Sequence, residues 1–129
     1  MLQAIKLPFV LHAVVETIAA VTFIFRPETQ LPNPSLDARL VLQSFGGLLL
    51  STSLVAAAVA SQPVSDQTTR LVGASLAFWH LWPCYRAVVR ISQGSGEEGP
   101  EVKTLGGPPV HLGVHLVLLF MFTGSALSS

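Results

Sequence analysis

Four long apolar runs, Pro8 to Phe25, Leu40 to Ala60, Leu71 to Ile91 and Pro109 to Leu127, constrain this chain more than anything else in it. Each is close to the roughly 17 to 25 residues a helix needs to cross the hydrocarbon of a bilayer. None alternates apolar and polar residues with a period of two. In lipid every backbone N–H and C=O must be satisfied within the segment, so the runs are expected as helices rather than barrel strands. Only 11% of the 129 residues are charged, against about a quarter in a soluble domain, which leaves too little polar surface to cover the apolar residues in water.

The fold class expected is therefore all-α: an integral membrane four-helix bundle of up-down-up-down topology. One domain covers residues 1–129, with helices at about 8–25, 38–60, 70–91 and 109–127. The segments between them are loops by their turn chemistry: Arg26 to Ser35 with its three prolines, Ser61 to Asp66, and Gln93 to Gly107. Ser35 is a natural N-cap for the second helix, and Ser65-Asp66 or Thr68-Thr69 can open the third. The first run contains His12 and Glu16, which disfavours a cleaved signal peptide and favours a retained span.

Seven basic and seven acidic residues give no net charge and no basic block, so no nucleic-acid partner is expected. The single cysteine, Cys84, excludes an internal disulfide and reads as a buried, inert thiol. Arg26, Arg39, Arg90 and Lys103 flank one face of the bundle, and Lys6 and Arg70 flank the other. The first face is expected to be cytoplasmic, although Glu97, Glu98 and Glu101 dilute the bias. Ser44, Gly46, Gly47, Ser51, Thr52 and Ser53 on the second helix suit close helix packing, and Gly47-x-x-x-Ser51 also fits a homodimer seam.

An ionisable side chain in a bilayer costs at least about 2.5 kcal/mol, so such residues are candidates for function. Apart from Arg90, which lies at the end of the third run and flanks the membrane face, there are six: His12 and Glu16 in the first helix, His80 and Arg86 in the third, His111 and His115 in the fourth. His12 and Glu16 are four apart and share a helical face. By helix rise, Glu16 and His80 each lie roughly 12 to 13 Å from the same surface, which places them level near the midplane. His115 and Arg86, roughly 9 and 7 Å from the opposite surface, are also level. Asp37, Arg39, Gln43, Tyr85 and His111 come to the mouth on that side, and the whole set describes a polar cavity.

Each of these residues has a structural alternative. A lone histidine in a membrane is often a satisfied interhelical hydrogen-bonding group, and Arg86 or His111 can snorkel to the interface. Asp37 and Arg39 equally form a surface pair or a helix cap. Trp79, Trp82 and Tyr85 serve either as interfacial anchors or as a ligand wall, and Pro83 can kink the helix that carries them. Glu16 is the exception, because a midplane carboxylate has no route to water and must be neutral or paired. His12, Glu16, His80 and His115 are ligand types for a metal, yet only one pair has ligand spacing and there is no HExxH motif, so neither a metal nor any other cofactor is expected.

The segment Ala77-Phe-Trp-His-Leu-Trp-Pro-Cys-Tyr-Arg-Ala87, preceded by Leu11-His-Ala-Val-Val-Glu16, resembles small four-span membrane proteins of fungal polyketide and terpenoid pathways, similar to epoxide hydrolases and cyclases of the aurovertin and citreoviridin type. The resemblance implies that His12, Glu16, His80, Tyr85 and Arg86 line the pocket, that no cofactor is needed, and that the endoplasmic reticulum is the compartment. A second similarity, to the four-span sterol-isomerase and sigma-receptor-like family, lacks that family's paired acidic residues.

The expected function is opening of an apolar epoxide by acid–base catalysis, with Glu16, His80, Asp37, Tyr85 and Arg86 catalytic and His12, Arg39, Gln43, Trp79, Trp82 and His115 holding the substrate. A non-catalytic sterol or lipid binder, a sterol-isomerase-like enzyme and a structural membrane subunit are the alternatives.

Overall fold

A computed structural model of the chain describes residues 4–94 and 106–128. Four α-helices follow one another, α1 (Leu7–Phe25), α2 (Leu36–Ser61), α3 (Gln67–Ser92) and α4 (Gly107–Leu127), with short 3-10 turns at Ala4–Lys6 and Pro27–Thr29. No strand occurs among the described residues. Each helix begins one to three residues before its expected start, because the capping groups lie at the outer edge of the loops. The Ser35 hydroxyl accepts from the Ala38 N–H at 3.2 Å. Asp66 closes a reciprocal box with Thr69, whose N–H lies 2.9 Å from Asp66 Oδ1. Lys103, Glu97, Glu98 and Glu101, which entered the orientation argument, lie outside the described residues.

The chain folds as two antiparallel hairpins. Helix α1 packs along α2, and α3 packs along α4. In the first hairpin Gly46 lets α2 approach α1: a Cβ there would stand 2.7 Å from Ile24 Cγ1 and 3.0 Å from the Ala20 carbonyl oxygen. A small apolar core of Ala20, Phe23 and Leu49 follows from that contact. The hairpins then meet mainly through α1 and α4, where Phe9 and Phe122 pack edge to face at 5.1 Å and Leu76, Ala77 and Leu118 close around them. At one end the Lys6 ammonium, buried, donates to the Gln62 carbonyl at the end of α2, and the Ser125 hydroxyl donates to the Ile5 carbonyl.

The distribution of polarity is inverted relative to a soluble bundle. His12, Glu16, His80 and His115 are at most 4% exposed, whereas Val14, Ile18, Leu54, Phe78, Leu81, Val117 and Phe120 are exposed. Contiguous apolar surface of this extent is stable only against another apolar phase. Three helices, α1, α2 and α4, are long and apolar enough to cross a membrane. Helix α3 is long enough but is diluted by His80, Pro83, Tyr85 and Arg86, so its composition alone does not reach that of a span. Its outward face is nonetheless apolar, with Leu71, Phe78, Leu81 and Val88 exposed. Gly47 and Ser51 also face outward, so the bundle does not cover that stripe.

Candidate functional site

The buried polar groups converge on one cluster between the two hairpins. Helix α1 contributes His12 and Glu16, which lie one turn apart; α3 contributes His80; α4 contributes His115. His12 Nδ1 stands 3.1 Å from His80 Nε2. His80 Nδ1 stands 2.8 Å from His115 Nδ1, and that same His115 atom is 3.7 Å from Glu16 Oε1. On the far side His12 Nε2 reaches the Thr52 hydroxyl of α2 at 3.3 Å. Phe122 forms one wall, stacked on His80 with ring centroids 5.7 Å apart and standing edge-on to His12.

Helix periodicity explains why these side chains meet. His12 and Glu16 lie on the face of α1 that also buries Phe9, Ala20 and Phe23. His80 lies on the α3 face with Gly73, Leu76, Ala77, Cys84 and Ala87, and His115 on the α4 face with Leu118, Phe122 and Ser125. The sites are thus the polar members of otherwise apolar interior stripes.

Among the described residues, two buried side-chain atoms are left without a hydrogen-bond partner: Glu16 Oε1 and Trp79 Nε1. One is an acceptor and the other a donor. Unmet polar groups in an interior are costly, and Glu16 sits at the wall of a cavity. That cavity, about 260 Å³, opens between α1 and α4 and is lined by Val15, Glu16, Ile18, Val110, His111, Val114 and His115 among others. Its wall is apolar except for the cluster residues and His111.

A separate polar vestibule lies at the end of the bundle that carries the first loop. Arg86, Arg90, Gln30 and His111 line it. Arg86 Nη2 stands 3.1 Å from His111 Nε2, and the His111 ring packs edge-on against His115 at 4.3 Å. His111 therefore links the vestibule to the buried cluster. Arg86 was expected level with His115; it pairs instead with the histidine one turn nearer the surface.

The other expected site residues are placed elsewhere. Asp37 and Arg39 are exposed in the first turns of α2 and do not reach the cluster. Tyr85 and Trp82 are 65% and 57% exposed on the outer face of α3. Gln43 donates to the Ile24 carbonyl at 3.1 Å and ties α2 to the end of α1. Thr52, which the sequence offered only as one of several small residues in α2, is part of the cluster. The signal for it was a hydroxyl at the depth of a histidine in an otherwise apolar run.

The atoms of His12, Glu16 and His80 that could bind a metal ion all lie within 4.8 Å of one another. The donor set is imidazole and carboxylate, suited to a borderline divalent ion. No family model matches the chain, and neither a curated protein nor a solved structure matches it.

Proposed function

We propose that the chain crosses the membrane with all four helices and opens an epoxide of an apolar polyketide or terpenoid substrate drawn sideways from the lipid. One observation carries this reading: Glu16, a buried carboxyl group with an unpartnered oxygen, lies at the wall of an apolar cavity between α1 and α4. The apolar outer face of α3 supports the fourth span, and the epoxide class follows from the sequence resemblance around His12, Glu16 and His80. Fold alone does not specify the reaction.

The geometry suits an acid and a base held side by side. The Thr52 hydroxyl donates to the Leu49 carbonyl at 2.8 Å, so it accepts from His12 Nε2–H. His12 Nδ1 is then a lone pair that accepts from His80 Nε2–H, and His80 Nδ1 in turn accepts from His115 Nδ1–H. In this arrangement His115 keeps a lone pair on Nε2. Protonated Glu16 gives its hydrogen to the epoxide oxygen as the C–O bond breaks. Water, or a hydroxyl of the substrate, forms the new C–O bond, and its proton passes to His115 Nε2. The imidazolium returns a proton from Nδ1 to Glu16 Oε1, across 3.7 Å, which restores the acid; His115 is left as the Nε2–H tautomer, and exchange of that proton through water back to Nδ1 resets the site.

The test is incubation of the detergent-purified protein and its Glu16→Gln variant with a panel of polyene and terpenoid epoxides, followed by product mass analysis. A hydrated or isomerised product from the wild type alone supports the reading. An unchanged ligand bound equally by both proteins overturns catalysis and supports a lipid binder. Loss of helical structure in Glu16→Gln makes the cluster a polar staple between the hairpins.

A further inference from the structure

We propose that His12, His80 and Glu16 form a binding site for a divalent first-row metal ion, with zinc as the ion that fits best. The inference stands on the geometry of the cluster and does not depend on the reaction proposed above.

Three observations carry it. The first is the ligand atoms themselves. His12 Nδ1 and His80 Nε2 are 3.1 Å apart, close to the roughly 3.3 Å edge of a tetrahedron with Zn–N distances of about 2.0 to 2.1 Å. The Glu16 carboxylate lies within 4.8 Å of both nitrogens, so a small change of its side-chain torsions completes three ligands. The second is the unpartnered oxygen. Glu16 is 3% exposed and its Oε1 has no donor, while the nearest guanidinium, Arg86, engages His111. A bound cation would give this buried oxygen the direct partner that it lacks.

The third observation is that the outer nitrogens of both histidines already have partners. Metal-bound histidines generally direct the second ring nitrogen to a fixed acceptor, which sets the tautomer. Thr52 plays that part for His12: its own hydrogen is committed to the Leu49 carbonyl, so its oxygen receives His12 Nε2–H and leaves Nδ1 as a lone pair facing the site. His115 would play it for His80: the 2.8 Å contact between the two Nδ1 atoms fits donation in either direction, and with a metal bound His80 would take the opposite tautomer to that of the metal-free chain, its Nδ1–H donating to His115 Nδ1 and its Nε2 coordinating. Two imidazoles and a carboxylate from two helices of a bundle core leave the fourth tetrahedral position open, as in catalytic rather than structural zinc sites. An ion held by His12, His80 and Glu16 would supply Lewis-acid chemistry at that open position.

The experiment uses the full chain in detergent, stripped with chelator, desalted and titrated with Zn²⁺ alone, with bound metal measured by elemental mass spectrometry and helicity by circular dichroism. Expected is one zinc ion per chain. Uptake is lost in Glu16→Gln and His80→Asn, weakened about 10- to 100-fold in Thr52→Val, and retained in His111→Ala. No uptake by a helical wild type overturns the proposal, as does equal uptake by Glu16→Gln and wild type. Should the cluster variants fail to fold, the visible spectrum of the Co²⁺-loaded wild type decides: intense tetrahedral bands support the site, and a weak octahedral spectrum overturns it. Epoxide turnover by the chelator-stripped protein would separate failure of this site from failure of the acid–base reading.

Discussion

The Nδ1 atoms of His80 and His115 stand 2.8 Å apart inside the bundle, so only one of the two carries a hydrogen. That single constraint gives the histidine chain a direction. Thr52 fixes one end of it, because its hydroxyl is already committed to the backbone. The chain runs from α2 through α1 and α3 to α4, and so crosses between the two hairpins where backbone packing is sparse. Side-chain polarity here does the joining that ridges and grooves do within each hairpin.

Replacing His80 by alanine tests how much that joint is worth. The ring is fully buried and stacked on Phe122, and its loss leaves His12 Nδ1 and His115 Nδ1 each without the hydrogen-bond partner that His80 supplied. Deletion of a buried aromatic ring usually costs about 3 to 5 kcal/mol, whereas an interhelical hydrogen bond in a membrane adds only about 0.6 kcal/mol on average. The expected loss is about 3 kcal/mol, most of it from the cavity. Unfolding in mixed detergent, compared with His80→Asn, measures it. A loss under about 1 kcal/mol would show that the hairpins associate without the cluster.

Much of this was readable from the residue order, and the boundary is informative. Length and composition set the helices, and Ser35 and Asp66 mark starts because a short polar side chain can reach the free N–H groups of the next turn. The i,i+4 spacing of His12 and Glu16 put them on one face. Depth along a helix, however, does not give rotation about it. Tyr85 was grouped with His80 because both lie in one run, but five residues correspond to about 140° around a helix, so a buried His80 turns Tyr85 outward. Pairing across helices was also out of reach: Arg86 could have met His115 or His111, and only the packed structure shows that it meets His111. Thr52 was hidden for a different reason, since a hydroxyl in an apolar run is as often bonded to its own backbone as to a neighbour.

Tyr85→Phe and Asp37→Asn follow directly from that placement. Both side chains are exposed and neither lines the Glu16 cavity. Turnover of any epoxide accepted by the wild type is expected to stay within about twofold in either variant. Glu16→Gln is expected to lose about 10² to 10⁴, the usual contribution of a positioned acid or base. Initial rates at saturating substrate decide it, and a hundredfold loss in Tyr85→Phe would return that phenol to the site.

The two adjacent glycines of α2 are expected to behave oppositely. A Cβ on Gly46 meets Ile24 Cγ1 at 2.7 Å, Phe23 Cβ at 2.9 Å and the Ala20 carbonyl oxygen at 3.0 Å. The last two belong to rigid parts of α1, so α1 and α2 must separate, at a cost of about 1 to 3 kcal/mol. A Cβ on Gly47 meets nothing within 4 Å, and alanine there gains helix propensity of up to about 1 kcal/mol. Thermal denaturation of the two variants in the same detergent reads the difference. If Gly47→Ala changes the oligomeric state instead, Gly47 and Ser51 form a seam between copies.

Asp66 provides a pH test at the start of α3. Its carboxylate accepts from the Thr69 N–H at 2.9 Å and also from the Thr69 hydroxyl, and the backbone bond holds its pKa below the ordinary 3.8. The ionised form is therefore the one that the folded chain favours. A depressed pKa contributes stability that is fully present above the unfolded value and is lost as the pH falls through the folded one. Asp66→Ala is expected to be less stable than the wild type at neutral pH, and the difference should shrink once the medium is more acidic than 3.8. Asp66→Asn, which keeps a capping oxygen but cannot ionise, should show a smaller loss with little dependence on pH. Parallel unfolding curves at neutral and acid pH check this, and a gap between wild type and Asp66→Ala that does not narrow on acidification would show that the charge of Asp66 plays no part in holding the first turn of α3.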